Sequence, residues 1–452
     1  MIHARRRHLA VARLVIVMGA MLAMHGAGAD DLWRALRDGK PDLYLRYRFE
    51  NVDDGQRPVV ADAYANTLRS ALGYSTGLYH GLGLYAQLED VRALGDEDFN
   101  DGGGNGVTSR ALVVDPQGTE VQQANLRYRG IAKTQIWLGR QEIEHRQAPL
   151  HRYVGNVSWR QNWQSFDALR VVNDSVPALH VDYAYVWNVN RIFGEDNKLA
   201  DRADYALDGH LISLTWRGLP CSTLEPYAYL LDFGDNRLPG TRALSTATFG
   251  ARLQGAYDLV TWAAKLLYTA EFAHQQDHDS DNPVAISVNY RLAELGLSKL
   301  FDYPWLESVT LKMSYEVLGG DGAVTVGAGK VGRAFQTPLG TNHAFQGWAD
   351  RFLTTPADGV VDLHAMLAFK IAGAHLAFIH HDFDADHGDY DYGTEWDVQL
   401  SRPIREHYTV GVKVARYEAA GNATNLARNG AASAGKQAYD LTRLWLWAEM
   451  KF

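Results

Sequence analysis

Along most of this chain, side chains alternate between apolar and polar with a period of two. Leu43, Leu45, Tyr47 and Phe49 fall on one side of a strand, and Tyr44, Arg46, Arg48 and Glu50 on the other. Leu82, Leu84, Ala86 and Leu88 oppose Tyr85, Gln87 and Glu89, and Leu311, Met313, Tyr315 and Val317 oppose Lys312, Ser314 and Glu316. The pattern returns at Trp396, Val398 and Leu400 against Glu395, Asp397 and Gln399, and closes the chain with Leu444 to Phe452 against Arg443 to Lys451. A period of two with one apolar face is the pattern of a half-buried β-strand. Alternation alone leaves two all-β architectures open. A soluble sandwich would put the charges outside, whereas a lipid-embedded barrel would put apolar residues outside and charges around a wet lumen.

Connection lengths separate the two. Short turns are expected near Thr76-Gly77, Gly130-Ile131, Asn173 to Pro177, Gly218 to Ser222, Tyr257-Asp258, Asp302 to Pro304, Ala372-Gly373 and Pro403 to Glu406. Long loops are expected near Asn51 to Ala63, Arg92 to Gln117, His145 to Asn162, Val189 to Leu207, Phe233 to Ala243, Gln275 to Pro283, Gly319 to Gly359, Asp382 to Tyr390 and Glu418 to Lys436. Nine long loops interleaved with eight short turns give an antiparallel transmembrane β-barrel of eighteen strands, or sixteen if one hairpin is miscounted. Short turns on one side and long loops on the other are the asymmetry of bacterial outer-membrane barrels. A soluble sandwich has no reason to obey it.

The N-terminal region fits that compartment. Arg5-Arg6-Arg7, an apolar stretch from Leu9 to Met24 broken by Arg13, and Ala27-Gly28-Ala29 read as a secretory signal peptide over residues 1–29, leaving residues 30–452 as one barrel domain. The formal charge of the whole chain is −9, and removing the four signal arginines makes the remainder more acidic. One cysteine, Cys221, cannot form an internal disulfide. Mildly negative mean hydropathy is no objection, because only alternate residues of a barrel strand face lipid.

A terminal strand ending on Phe452 resembles those that outer-membrane barrels present to their assembly machinery. More specific strings follow: Asp115-Pro116-x-Gly-Thr119-Glu120-Val121, Leu138-Gly139-Arg140-Gln141, Val154-Gly155-x-x-x-Trp159-Arg160-Gln161-Asn162 and Ser165-Phe166-Asp167-Ala168. Downstream come Thr337-Pro338-Leu339-Gly-Thr341-Asn342-His343-x-Phe345-x-Gly347-Trp348-Ala349-Asp350-Arg351-Phe352, His380-His381-Asp382-Phe383 and Tyr392-Gly393-Thr-Glu395. Together they resemble the alginate export family of outer-membrane porins, in a broad branch rather than the alginate secretor itself. The resemblance implies an outer-membrane barrel and a channel in contact with lipid. An anionic oligo- or polysaccharide such as alginate is the implied cargo, and outward transport would need a periplasmic partner. Uptake of small anions or organic acids is the alternative, and a monomer is expected.

A lumen for a uronate polymer needs cations, since a narrow pore in a low-dielectric wall penalises an uncompensated carboxylate. Inward parity supplies Arg46, Arg48, Arg69, Arg127, Arg129, Lys312, Lys413 and Arg443, and the family strings add Arg140 and Arg160. Ile136 and Leu138 share the face of Arg140, so parity there is ambiguous; the resemblance and the cost of an arginine facing lipid put it in the lumen. The competing reading is that these cations brace the wall by pairing with Glu50, Glu89, Asp182, Glu316, Glu395, Asp397 and Glu449. The loop from Gly319 to Gly359 carries His343, Phe345, Trp348, Asp350 and Arg351, and its aromatics favour an inward plug or a cap at the outer mouth over disorder.

No cofactor is expected. The clusters Asp96 to Asp101 and Asp382 to Asp391 have oxygen-rich spacing that could hold calcium, but Asp and Gly are also ordinary turn residues. His380-His381 beside Asp382 has no third ligand at metal-site spacing. Ser158, Ser165, His145 and His151 form no recognisable triad order, so an outer-membrane hydrolase is a minor alternative and no catalytic residue is assigned. Nothing supports nucleic-acid binding.

Overall fold

The computed structural model describes residues 29–55, 60–147, 152–278, 282–325, 331–421 and 438–452. The expected signal peptide lies almost wholly outside them. The first described element is a helix, Ala29–Arg37, held beside the first short turn, where Gly77 N–H donates to Ala35 O (2.8 Å) and Tyr74 Oη donates to Leu36 O (2.6 Å). Among the described residues no helix is long and apolar enough to cross a membrane, which says nothing of strands.

The strands are β1 (Lys40–Asp54), β2 (Ala63–Ser75), β3 (Leu82–Ala93), β4 (Gly118–Tyr128), β5 (Thr134–Gln141), β6 (Ser165–Asn173), β7 (Leu179–Asn190), β8 (Asp204–Leu219), β9 (Ser222–Asp232), β10 (Thr246–Leu259), β11 (Ala264–Asp277), β12 (Ser287–Leu300), β13 (Leu306–Leu318), the short pair β14 (Val324–Thr325) and β15 (Val331–Gly332), then β16 (Val360–Ile371), β17 (Ala374–Asp384), β18 (Asp391–Ile404), β19 (Tyr408–Ala419) and β20 (Leu441–Lys451). Apart from β14–β15, each pairs antiparallel with its neighbours in sequence, and β20 pairs with β1, so eighteen strands close into one barrel. Closure removes every free edge, as a wall in lipid requires.

The wall is inside-out relative to a soluble sandwich. On β1 the inward residues Arg46, Arg48 and Glu50 are buried while Tyr47 on the other face is exposed. Arg69 is 0% exposed and Leu72 60%; Asp397 is 0% and Trp396 55%. That contrast excludes the sandwich, because apolar residues gain nothing by facing water. At the short-turn end, Tyr257, Trp262, Tyr303, Trp305, Tyr408 and Phe452 are all exposed, forming an aromatic girdle of the kind found at a bilayer interface.

Turn positions follow the sequence with small shifts. The turn expected at Tyr257-Asp258 lies beyond them, because Asp258 still pairs with Lys265. Pro403 likewise remains in β18, opposite Thr409.

Candidate functional site: a lumen filled by two loops

Two long loops turn into the barrel and meet there. One follows β5 and includes residues 152–164; the other follows β13 and includes residues 331–359. Gly155 N–H donates to Leu339 O (3.0 Å), Gln164 Nε2 donates to Leu339 O (3.0 Å), and the rings of Trp159 and His343 stack at 4.5 Å, nearly parallel. The loop holding His343, Phe345, Trp348, Asp350 and Arg351 therefore lies inside the wall. The first loop, read from sequence as an external connection, lies inside as well. Its signal was present in the text: residues 152–164 carry Arg152, Arg160, Trp159, Trp163, Asn156, Gln161, Asn162 and Gln164 but no acid. That composition suits burial against an acidic, hydrogen-bonding wall.

Gln161 shows how completely the first loop is fixed. Its N–H donates to Asp115 Oδ1 (2.9 Å), and its carbonyl accepts from Arg69 Nε (2.8 Å). Its side chain accepts from Arg46 Nε (2.8 Å) and donates to Thr67 Oγ1 (2.9 Å). A buried amide with all its groups satisfied specifies one position for the segment. Arg46 also donates to Ser158 O (2.7 Å), Arg48 donates to Trp159 O and pairs with Asp115, and Arg69 pairs with Glu89 (2.6 Å) while lying over the Trp163 ring (3.9 Å).

The centre of the lumen is an ion cluster that joins both loops to the wall. Arg160 and Arg443 each contact both Glu50 (3.1 Å for each) and Asp350 (3.1 and 3.0 Å). Asp350 also accepts from His343 Nδ1 (2.7 Å), and Lys413 Nζ lies 3.2 Å from His343 Nε2. The Lys413 ammonium sits between the Trp159 and Trp348 rings, at 3.8 and 4.0 Å from their centroids. That geometry fits a neutral imidazole, donating from Nδ1 and accepting at Nε2. Burial pushes the His343 pKa down to about 3 against the pull of Asp350. For Asp350 the cost of burial is outweighed by His343, Arg443 and Arg160, which hold it well below the carboxylate range.

The second loop is further tied by its backbone. Ala349 N–H donates to Glu395 Oε1 (2.7 Å) and Trp348 N–H to Asp397 Oδ2 (3.1 Å). Gly347 makes this approach possible: its φ is +77°, and a Cβ there would collide with the Glu395 carboxylate. Phe345 lies under the Arg152 guanidinium (4.4 Å), which pairs with Glu316 (2.6 Å), and Arg351 donates to Tyr439 O (2.7 Å).

The other expected lumen cations stand apart from this cluster. Arg127 faces inward over Tyr85 (4.3 Å), Lys312 pairs with Glu294 (2.9 Å), and Arg129 is exposed just beyond β4. Arg140 corrects the expectation. It sits opposite Asp167 and pairs with it (2.9 Å), on the face shared by Leu138 and the exposed Leu169, while Trp137, Gly139 and Gln141 share the inward face with Arg170, Ala168 and Phe166. The parity of Ile136 and Leu138 was the better guide. At the long-loop end the side chain meets Asp167 and Val121 O rather than acyl chains, so the cost of an arginine in lipid does not arise. A partly exposed pair of this kind is worth about 0–1 kcal/mol. Arg140→Ala should therefore leave both folding and ion selectivity unchanged in bilayer recordings.

Above the ion cluster, on the long-loop side, lies a cavity of about 540 Å³. Its lining includes Arg160, Arg191, Arg202, Arg351 and Arg443 against Asp54 and Asp350, with Tyr205, Phe193 and Trp159 supplying aromatic faces. Arg191 lies over the Tyr205 ring (3.9 Å) and Arg202 over Phe193 (4.8 Å). Neither is within ion-pair distance of a carboxylate among the described residues. Sequence parity missed both, since they belong to the loop after β7.

Of the acidic clusters considered for calcium, Asp101 uses its carboxylate on the N–H groups of Gly103, Gly104 and Asn105, and Asp391 caps Gly393 N–H. Of the candidate hydrolase groups, His145 packs on Tyr229 near Asp182, and His151 lies outside the described residues.

Solved barrels share this architecture at low identity. OccAB4 of Acinetobacter baumannii matches with a TM-score of 0.64 at 13% identity, covering 92% of this chain and 98% of that one. OpdK of Pseudomonas aeruginosa, crystallised with vanillate, gives 0.63 at 15% identity, covering 92% and 99%. OccD3 of the same organism gives 0.59 at 12%, covering 92% of each chain. No curated protein sequence matches the chain. The alginate export family model matches residues 42–302, more than half of the sequence. With its closed eighteen-stranded wall, apolar outside and charged within, this chain belongs to the alginate export family and forms a channel in the bacterial outer membrane.

Proposed function

We propose that this channel passes small organic anions, taken up singly through the arginine-lined cavity above the two inward loops. The observation that carries the reading is that cavity: about 540 Å³, five arginines against two aspartates, with aromatic faces between them. A volume in the range of about 300–1,000 Å³ suits a small-molecule ligand. Arginines offer a carboxylate bidentate hydrogen bonds, and the aromatic rings would receive an apolar or aromatic body. Passive entry of this kind needs no periplasmic partner, and a single closed barrel suffices as a monomer.

Passage of an acidic polysaccharide such as alginate is the second reading, favoured by the family match. It would require the loop that carries Asp350 to leave the lumen, because Asp350 is tied to Arg160 and Arg443 across the path of a chain. Planar-bilayer recordings separate the two. Small-anion passage predicts that benzoate reduces the chloride current while benzyl alcohol, its uncharged counterpart, does not, and that oligouronates block weakly. Strong oligouronate block with no benzoate effect would favour the polymer. Block by neither would overturn both.

The cluster also sets a pH dependence. His343 is held neutral in the fold, with its pKa near 3 rather than the ordinary 6.5, so the free loop binds a proton that the docked loop refuses. Docking is thus at full strength above pH 6.5 and weakens as pH falls towards 3. Open-channel current should rise between pH 7 and pH 4.5, and His343→Gln should flatten the rise.

A further inference from the structure

We propose that the lumen wall of β16, β17 and β18 carries a transition-metal site suited to Zn²⁺, formed by Asp362, His364 and His381. Asp362 and His364 are two residues apart on β16 and so share its inward face. His381 on β17 sits directly opposite His364. Asp362 lies 2.9 Å from His381 Nδ1 and 3.2 Å from His364 Nδ1, and one ligand atom from each residue lies within 4.8 Å of the other two. Metal–ligand distances of about 2.0–2.2 Å in a tetrahedral site put the ligands roughly 3.3–3.6 Å apart. Small side-chain adjustments reach that geometry. Reading the sequence alone found His380-His381 without a third ligand; the barrel supplies two from the neighbouring strand, while His380 faces outward against Trp396 (4.5 Å).

Charge balance points the same way. Elsewhere the buried wall acids face arginines: Glu50 meets Arg443, Glu89 meets Arg69, Glu271 meets Arg146 and Glu316 meets Arg152. Asp362, Glu395 and Asp397 are each 0% exposed, and among the described residues none is within ion-pair distance of an arginine or lysine. Glu395 Oε2 and Asp397 Oδ1 are buried without a hydrogen-bond partner. The groups facing these acids at ion-pair distance are His364 and His381 on Asp362 and His381 on Asp397, and a divalent cation held by the same histidines would carry more positive charge than the protons it replaces. Asp397 also lies 3.6 Å from His381 Nε2, where a carboxylate orients a metal-binding imidazole. Three protein ligands leave a fourth position for water, on the side of the partly exposed His364. Because Asp397 and Glu395 also hold the backbone of the inner loop, the metal would order the wall on which that loop docks.

The test uses the purified, folded barrel after treatment with a chelator, titrated with Zn²⁺ by calorimetry and with Co²⁺ by visible absorption. One Zn²⁺ per chain is expected, with a Co²⁺ band of low-coordinate intensity. His364→Ala should weaken binding by at least ~100-fold, more than the ~10–100-fold typical of losing an outer hydrogen bond. Asp362→Asn should do likewise, and serves if His364→Ala fails to show heat-modifiable migration on gels. The outward His380→Ala should change nothing. No stoichiometric binding, or binding as tight in His364→Ala or Asp362→Asn as in the parent, would overturn the site, as would equal loss in His380→Ala.

Discussion

Replacing residues 337–352 with a short glycine-serine linker should raise single-channel conductance by at least about twofold, because a pore conducts according to the cross-section left open to ions. The segment fills the centre of the lumen, with Trp348 on Lys413 and Asp350 between Arg160 and Arg443. Removing it leaves the wall pairing untouched, since none of its residues belongs to a barrel strand. Equal conductance in correctly assembled barrels would mean that ions travel by a path the loop does not obstruct.

Asp350→Ala should release the same loop without deleting it. The change leaves Arg160 and Arg443 sharing Glu50 alone and takes the acceptor from His343 Nδ1. Breaking one partner out of a buried ion cluster costs about 3–5 kcal/mol, because the remaining charges stay desolvated. That cost falls on the docked loop rather than on the barrel, whose eighteen-strand closure does not involve Asp350. Limited proteolysis of folded protein should therefore cut within 319–359 much faster than in the parent, while heat-modifiable migration on gels stays the same. If migration changes and the loop remains protected, Asp350 braces the wall instead.

The wall was legible in the sequence because lipid and water impose a strict period of two, and the length asymmetry of turns and loops survives errors of a few residues at each boundary. The inward direction of Arg46, Arg48, Arg69, Lys413 and Arg443 followed from that period. Their partners did not. Arg48 meets Asp115, and Arg160 meets Asp350, across 67 and 190 residues, in contacts created by loops whose path no periodicity encodes. Arg140 marks the opposite failure: its apolar face-mates Ile136 and Leu138 pointed outward, and the penalty for an arginine in lipid does not apply at a height where the side chain meets Asp167. The histidine and aspartate grouping on β16 and β17 could not be found by spacing along the chain, because antiparallel register rather than sequence separation brings His364 to His381.

A lumen walled by buried arginines and floored by docked loops should select anions. The most direct measurement is the zero-current potential of the reconstituted parent barrel across a KCl gradient. A potential of the sign set by chloride is expected, shrinking at high salt as screening shortens the reach of Arg191, Arg202 and Arg351. A potential of the sign set by potassium would contradict it.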